Sequence, residues 1–474
     1  MELIQRPILY MRSSKFPLSM TTPTRPGGHP LPSDGRGLGV RALLKFTGSM
    51  RDVLLGRILA LAPAFAFTVA FGLHPLAAAD WANWRGPNGL GVSAEKNFPV
   101  HWSKSHNIAW TAALPGKGAS SPIVVGERVY LTTQTEDSGL HVLAFDRKTG
   151  QLLWDRSIGQ GKLPANKLHN MATPTPVSDG QHIWAMFGTG DLACLEPDGN
   201  VVWQRNLVKE YGEYKTNHGY GSSPMLYDGK LFIACMHQGP SYLVAVDAAT
   251  GKNAWKTERN LGPKDEAQDS YSSPILVQTG GKTEVVLAGA ESVNAYNPAD
   301  GQQTWIAGGM KVNHPYGRTI SGPAAGQGVI VAVASGFQNR GFTLGLKAGG
   351  HGEFTESDRL WTCNKFSADC PSPVIHDGNV FFIRDDGMAS CLDLKTGAPH
   401  WQERLFSANV KVSPVAAGGK VYFTSGQGNC VVVKAAPKLE VLATNQVNEA
   451  TLSTPALAHG NLFLRTEEKL YCVK

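Results

Sequence analysis

Eight times along this 474-residue chain a small hydroxyl residue stands at or next to a proline, at a spacing of about 50 residues. The openings are Ser121-Pro122, Thr175-Pro176, Ser223-Pro224, Ser273-Pro274, a loosened Ser321-Gly322-Pro323, Ser372-Pro373, Ser413-Pro414 and Thr454-Pro455. A unit of that length is one small sheet with too little apolar surface for a core of its own. Copies must therefore stack on one another, as in a propeller or a solenoid.

Each opening leads into an alternating apolar stretch, usually a Gly, and a second stretch such as Val129-Tyr130-Leu131, Leu231-Phe232-Ile233, Val380-Phe381-Phe382 or Val421-Tyr422-Phe423. These read as the first two strands of a blade. A third strand ends in the hairpin Ala144-Phe145-Asp146-Arg147-Lys148-Thr149-Gly150, and a fourth carries Trp154. The design returns from Asp247 to Trp255, Asn297 to Trp305 and Asp393 to Trp401, and one residue shorter from Glu196 to Trp203. Asp or Asn can cap such a turn through its side chain, and Gly supplies the positive φ that other residues resist.

Trp154, Trp203, Trp255, Trp305, Trp361 and Trp401 fall in the fourth strands of blades one to six, and Leu442 is read into that slot in blade seven. One Trp alone would be an ordinary core residue, whereas seven in register, Trp110 included, define a packing unit that fills the wedge between sheets. Blade eight runs out of chain after three strands, and Ile108-Ala109-Trp110-Thr111 offers the missing one. The expected fold is all-β: one eight-bladed β-propeller of four-stranded antiparallel blades over residues 80–474. An N-terminal strand completes the C-terminal blade and leaves no long free sheet edge.

Composition agrees, since 53 Gly and 29 Pro with 17% charged residues suit short strands and tight turns. The net charge of +6 does not point to nucleic acid: the first 79 residues hold nine Lys or Arg against three acidic residues, and the remainder carries 35 of each sign. In that leader Arg51 and Arg57 precede an apolar run from Ile58 to Leu73, then Ala77-Ala78-Ala79 and Asp80. This is the order of a signal peptide cleaved near Ala79. A membrane anchor is the other reading, although Pro63 and Pro75 interrupt the run. Residues 1–49 fit no core, and Met50 is read as the true start. The expectation is a periplasmic or secreted monomer with no membrane span in the mature chain.

Seven cysteines in an exported chain raise disulfides first. Cys194, Cys391 and Cys472 stand where other repeats have Ala144, Ala245 and Ala295, and so read as small core residues. Cys363 and Cys370, across the bend from blade five to blade six, form the candidate disulfide. The sequence carries no metal-ligand signature.

The spaced Ala-x-Asp-x-x-Thr-Gly-x-x-x-Trp, complete from Ala144 to Trp154 and from Ala245 to Trp255, resembles the tryptophan-docking motif of the pyrroloquinoline-quinone (PQQ) type propellers. The segment Trp84-Arg85-Gly86-Pro87-Asn88-Gly89 and the insertion Gly349-Gly350-His351-Gly352-Glu353 look like a secreted bacterial subgroup of these repeat proteins. The resemblance to quinoprotein alcohol dehydrogenases implies PQQ with calcium. Those enzymes combine an adjacent cysteine pair, an acidic general base and calcium-ligand side chains. Here no two cysteines are adjacent, and no Cys-x-x-Cys-His haem site exists. A second resemblance, to the propeller lipoprotein of the outer-membrane barrel-assembly machinery, implies scaffolding. Its lipid anchor needs a cysteine after the signal, where this chain has Asp80.

Loops leading into the openings should ring the channel mouth with His169, Asn170, His218, Tyr220, Asp269, Tyr271, His314, Arg318, Asp369 and Lys411, and the loops between second and third strands add Glu136, Asp137, Asp191, His237, Gln338, Arg340, Arg384 and Asp385. These groups can bind, ligate or transfer protons, and Tyr220 and Tyr271 could stack on a planar quinone or sugar. The plainer reading is a wet channel mouth whose polar residues avoid burial. The leading function is a non-catalytic binding or scaffolding propeller for an extracytoplasmic protein, small molecule or glycan. The alternatives are a quinone-dependent or other redox enzyme and, third, a glycan-binding or glycan-cleaving propeller.

Overall fold

The computed structural model describes residues 79–163, 168–314, 316–336, 341–407 and 409–474. Residues 1–78, which hold the expected leader, lie outside the described residues, as do Gln338 and Arg340. Among the described residues the strands form eight sheets, each built on four antiparallel strands; in seven the sequence order of these four runs from the axis outward, and in the eighth the outermost strand comes from the start of the ring. Blade one, for example, is Ile123–Val125, Arg128–Gln134, Gly139–Asp146 and Leu152–Gln160. Its first strand is wholly buried and its fourth is largely exposed, as expected when both faces of the inner strands pack on neighbouring blades. No helix among the described residues is long and apolar enough to cross a membrane.

The ring closes as its sequence implies. Ile108–Ala113 pairs antiparallel with Lys469–Val473, with Trp110 opposite Cys472. Leu114 N–H donates to the Glu468 carbonyl at 2.8 Å, and Lys474 N–H to that of Asn107 at 2.9 Å. Buried Arg465 of blade eight reaches across the seam to the Ser120 carbonyl at 3.2 Å and the Thr132 carbonyl at 2.7 Å in blade one. Outside the strand, Glu449 binds Lys104 of the approach segment at 3.0 Å and Lys469 and Tyr471 of blade eight at 2.8 and 2.7 Å. Burial alone would raise its pKa, but the Lys469, Tyr471, Lys104 and Thr466 bonds overcome this and hold it at about 2. A carboxylate depressed in the folded state stabilises above its unfolded pKa of ~4.3, and that contribution is lost as pH falls towards about 2. Denaturant melts between pH 5 and pH 2 should therefore show a steeper loss of stability for the parent protein than for Glu449→Gln.

The repeat's chemistry is a contact between consecutive blades. Five of the seven Trp lie over the turn glycine of the next blade: Trp110 on Gly150, Trp154 on Gly199, Trp203 on Gly251, Trp255 on Gly301 and Trp361 on Gly397. Each indole N–H donates to a carbonyl in that same turn, as from Trp110 to Arg147 at 2.8 Å and from Trp154 to Pro197 at 2.8 Å. The Gly thus serves twice, since at Gly150 φ is +74° and a Cβ would lie 2.4 Å from the Trp110 ring. Opposite each Trp sits a small residue: Ala144, Cys194, Ala245, Ala295, Gly345, Cys391 or Cys472. The reading of the three cysteines as alanine equivalents therefore agrees with the register.

Three expectations are corrected. In blade seven Ala443, not Leu442, takes the Trp position, because Ala443 pairs with Val432 and Val441 with Val433 while Leu442 falls in the bulge between them. Trp305 does not dock like the others, because the insertion in blade five replaces the usual turn. Gly352–Glu353 adds to the edge of blade four as a parallel strand, Phe354 stacks on the ring at 4.6 Å, and the indole donates to Glu284 at 3.0 Å. All seven cysteines are free, so no bridge joins Cys363 to Cys370. Cys363 ends the outermost strand of blade five, whereas Cys370 has already reached the axial cavity.

Candidate functional site

The openings of the repeat build the wall of the axial channel. At six of the eight blade-to-blade steps a backbone N–H at the opening donates to the hydroxyl of the next blade: Ser121 to Thr175 at 2.9 Å, Thr175 to Ser223 at 3.0 Å, Ser223 to Ser273 at 2.8 Å. After a gap the belt continues from Gly322 to Ser372 at 2.8 Å, Ser372 to Ser413 at 2.9 Å and Ser413 to Thr454 at 3.4 Å. The proline after each hydroxyl residue has no N–H to spare. The first gap arises because Gly322, rather than Ser321, takes the register position and has no hydroxyl to offer Ser273. The second lies at the seam, where Arg465 and Ser453 engage Ser120 instead, and buried Ser121 Oγ is left with no partner.

Below the belt, residues 80–93 plug the channel. Asp80 accepts from Gly126 at 2.9 Å and bonds His459 at 2.9 Å, Trp81 pairs with Val124, and Ser178 N–H donates to the Ala82 carbonyl at 3.0 Å. Gly89 is packed against Met225 and Ile275, Arg85 reaches the Pro373 carbonyl, and Val92–Ser93 pairs parallel with Ala416–Ala417. The Trp84 ring lies against Gly322, whose missing side chain leaves it room, and its face is held by the Arg85 guanidinium 5.6 Å away. The plug thus touches all eight blades. Burial lowers the Arg85 pKa to about 9.

Above the plug is a cavity of about 270 Å³ with Trp84 in its lining and the belt residues Ser121, Thr175, Ser223, Ser273, Ser372, Ser413 and Thr454 in its wall. Of the ten predicted mouth residues, His169, His218, Tyr271, Arg318, Asp369 and Lys411 line it. Arg318 spans Glu266 at 3.4 Å and Asp369 at 3.7 Å, and His218 bonds the same Glu266 oxygen at 3.2 Å. Lys411 pairs with Asp385, which also accepts from Cys370 N–H at 3.1 Å. Burial favours a neutral Asp369 and raises its pKa, with Arg318 opposing. Burial also pushes the Cys370 thiol up, so it is protonated rather than a nucleophile. His169 is held below the usual imidazole range by burial.

The other four lie elsewhere. Asp269 is fully buried behind Tyr271, accepting from its hydroxyl at 3.3 Å, from Asn217 N–H at 3.0 Å and from Gln238 at 3.2 Å. Tyr220 is a core residue stacked on Tyr214 at 4.7 Å and bonded to the Ala234 carbonyl. Asn170 lines an adjoining cleft with Lys117 and Glu467, and His314 lies in a separate groove beside Lys311 and Asp265. The sequence reading missed Trp84, Glu266 and the belt hydroxyls. The recurrence of Ser or Thr at one phase of every repeat was the signal for the belt.

An eight-bladed propeller with interblade Trp contacts and an axial cavity is the architecture of the PQQ-like repeat proteins. The family described as outer membrane protein assembly factor BamB matches residues 92–216 and 209–403, and the chain belongs to that family. The chain is 26% identical to the outer membrane protein assembly factor BamB of Yersinia pestis over 256 residues, 48% of this chain and 56% of that protein. It is 26% identical to the dehydrogenase subunit of the quinone alcohol dehydrogenase of Komagataeibacter europaeus over 174 residues, 34% of this chain and 22% of that one. The matched stretches thus span less than two thirds of either relative. The quinohemoprotein alcohol dehydrogenase of Comamonas testosteroni shares the fold, with a TM-score of 0.60, 13% identity and coverage of 83% of this chain and 80% of that one.

Among the described residues, the acidic cluster at the mouth fits calcium poorly. Calcium takes six to eight oxygen ligands, whereas here Asp369, Cys370 and Asp385 cluster as two carboxylates and a soft thiol, with Lys411 already on Asp385.

Proposed function

We propose that this chain is a non-catalytic binding or scaffolding propeller that works outside the cytoplasm. One observation carries the reading. The carboxylates around the mouth face internal cations, Glu266 facing Arg318 and His218, Asp385 facing Lys411 and Asp369 facing Arg318 at 3.7 Å, while burial favours the protonated form of the lining thiol of Cys370. An exported chain with a cleaved leader, monomeric and presenting its loop-rich mouth to a protein or small molecule, is consistent with the BamB relative; the dehydrogenase relative favours the redox alternative.

The test is reconstitution of the full chain with PQQ and calcium, read by absorbance and by dye reduction with alcohols and sugars. The expected outcome is no calcium-dependent uptake and no dye reduction. Stoichiometric uptake with turnover would establish the redox enzyme instead.

A further inference from the structure

We propose that Lys411 and Asp385 form an isopeptide bond by themselves, an amide between the lysine Nζ and the aspartate side-chain carbonyl, with Asp369 as the proton relay. The bond staples the mouth loops of blades six and seven. Lys411 Nζ is in contact with Asp385 Oδ2. The carboxyl is held from its other side, because Oδ1 accepts from the backbone N–H of Cys370 at 3.1 Å and of Asp369 at 3.3 Å. A carboxylate oxygen of Asp369 lies within 4.8 Å of one of Asp385. The lysine and aspartate side chains are only 18% and 22% exposed. Three loops converge here: Asp369 comes from the one entering blade six, Asp385 from the turn between the second and third strands of that blade, and Lys411 from the loop entering blade seven.

Two part-buried charges carry a desolvation cost that a neutral amide does not, and an amine held against a carboxyl reacts as a unimolecular pair. The step balances without an added reactant: Nζ bonds Cγ, the Cγ–Oδ2 bond breaks, and the two protons that leave the ammonium depart with Oδ2 as water. In the tetrahedral intermediate the negative charge falls on Oδ1, where the two backbone N–H groups already point. Asp369 passes the protons from Nζ to Oδ2. Burial raises its pKa, with Arg318 opposing, so it holds a proton more readily than an ordinary aspartate. Burial works against the Lys411 ammonium, but Cys370 and Asp385 hold its pKa up, so the amine is freed only as its proton moves to the relay. Asp369 and Lys411 line the axial cavity, which receives the water. The adjacent Asp386 is taken by Arg384 and Arg404, which leaves Asp385 to be acylated onto the lysine.

Tryptic mapping of the denatured full chain by mass spectrometry is the test, because trypsin does not cut after an acylated lysine. The expected product is one branched species, residues 385–395 joined through Asp385 to Lys411 of residues 405–420, lighter by one water than the two peptides together. Lys411→Arg keeps a cation against Asp385 but has no amine to acylate, and should lose both the branch and the water deficit. Asp369→Asn keeps the Lys411 and Asp385 side chains and should lose the branch for want of the relay. Both variants should still melt cooperatively, at a lower temperature than the stapled parent, which separates a missing bond from a missing fold. Unlinked peptides alone in the parent, a water deficit that persists in Lys411→Arg, as a cyclised Asp386-Gly387 would give, or a branch as abundant in Asp369→Asn as in the parent would each overturn the proposal.

Discussion

Deletion of residues 80–112 is expected to abolish cooperative folding of the whole propeller rather than trim its end. The deletion removes nearly all of the fourth strand of blade eight, whose register runs from Ile108 opposite Val473 to Ala113 opposite Lys469. It also removes the plug, whose Trp81, Ala82 and Gly91 backbone groups bond blades one, two and seven and whose Arg85 reaches blade six. A ring opened at one seam exposes a long edge and the apolar faces of two blades. The loss should exceed about 5 kcal/mol, comparable to the whole stability of many domains. Urea unfolding followed by circular dichroism should show a soluble fraction with no cooperative transition, or none soluble; a truncated protein with unchanged melting would contradict the closure.

Trp110→Ala should be the costliest of the interblade Trp substitutions, at about 3–5 kcal/mol. The Trp110 ring is 8% exposed, lies on Gly150 of blade one, contacts Phe463 of its own blade at 6.0 Å and bonds the Arg147 carbonyl. Every other Trp joins blades already linked by continuous chain, whereas Trp110 joins the two that are not. Trp401→Ala, where the ring is only half-buried and bonds the Ala436 carbonyl at 3.2 Å, should cost visibly less under the same denaturant assay.

Blade number, strand order and seam could be read from the chain because they rest on local chemistry repeated in register: Ser or Thr before Pro, Asp-x-x-Thr-Gly turns and a Trp at fixed phase. Errors fell where a repeat departs from that chemistry. A bulge moved the blade-seven slot from Leu442 to Ala443, and an insertion gave Trp305 a partner, Phe354, that no periodicity announces. The mouth was legible only as a set of loops. Six of ten residues reached the cavity, but whether a loop side chain points to the axis, as Tyr271 does, or into the neighbouring core, as Tyr220 does, depends on tertiary packing. The plug was the least legible feature, because Trp84 and Arg85 acquire their roles from contacts with blades hundreds of residues away.

The most direct test of the closed ring is native-state hydrogen exchange at the seam. If the N-terminal strand is an integral member of blade eight, amides of Ile108–Ala113 and Lys469–Val473 should exchange only through the same global opening as the inner strands, such as Leu231–Ala234. Exchange of Ile108–Ala113 at the rate of a fraying terminus, with the rest of the ring still protected, would contradict it.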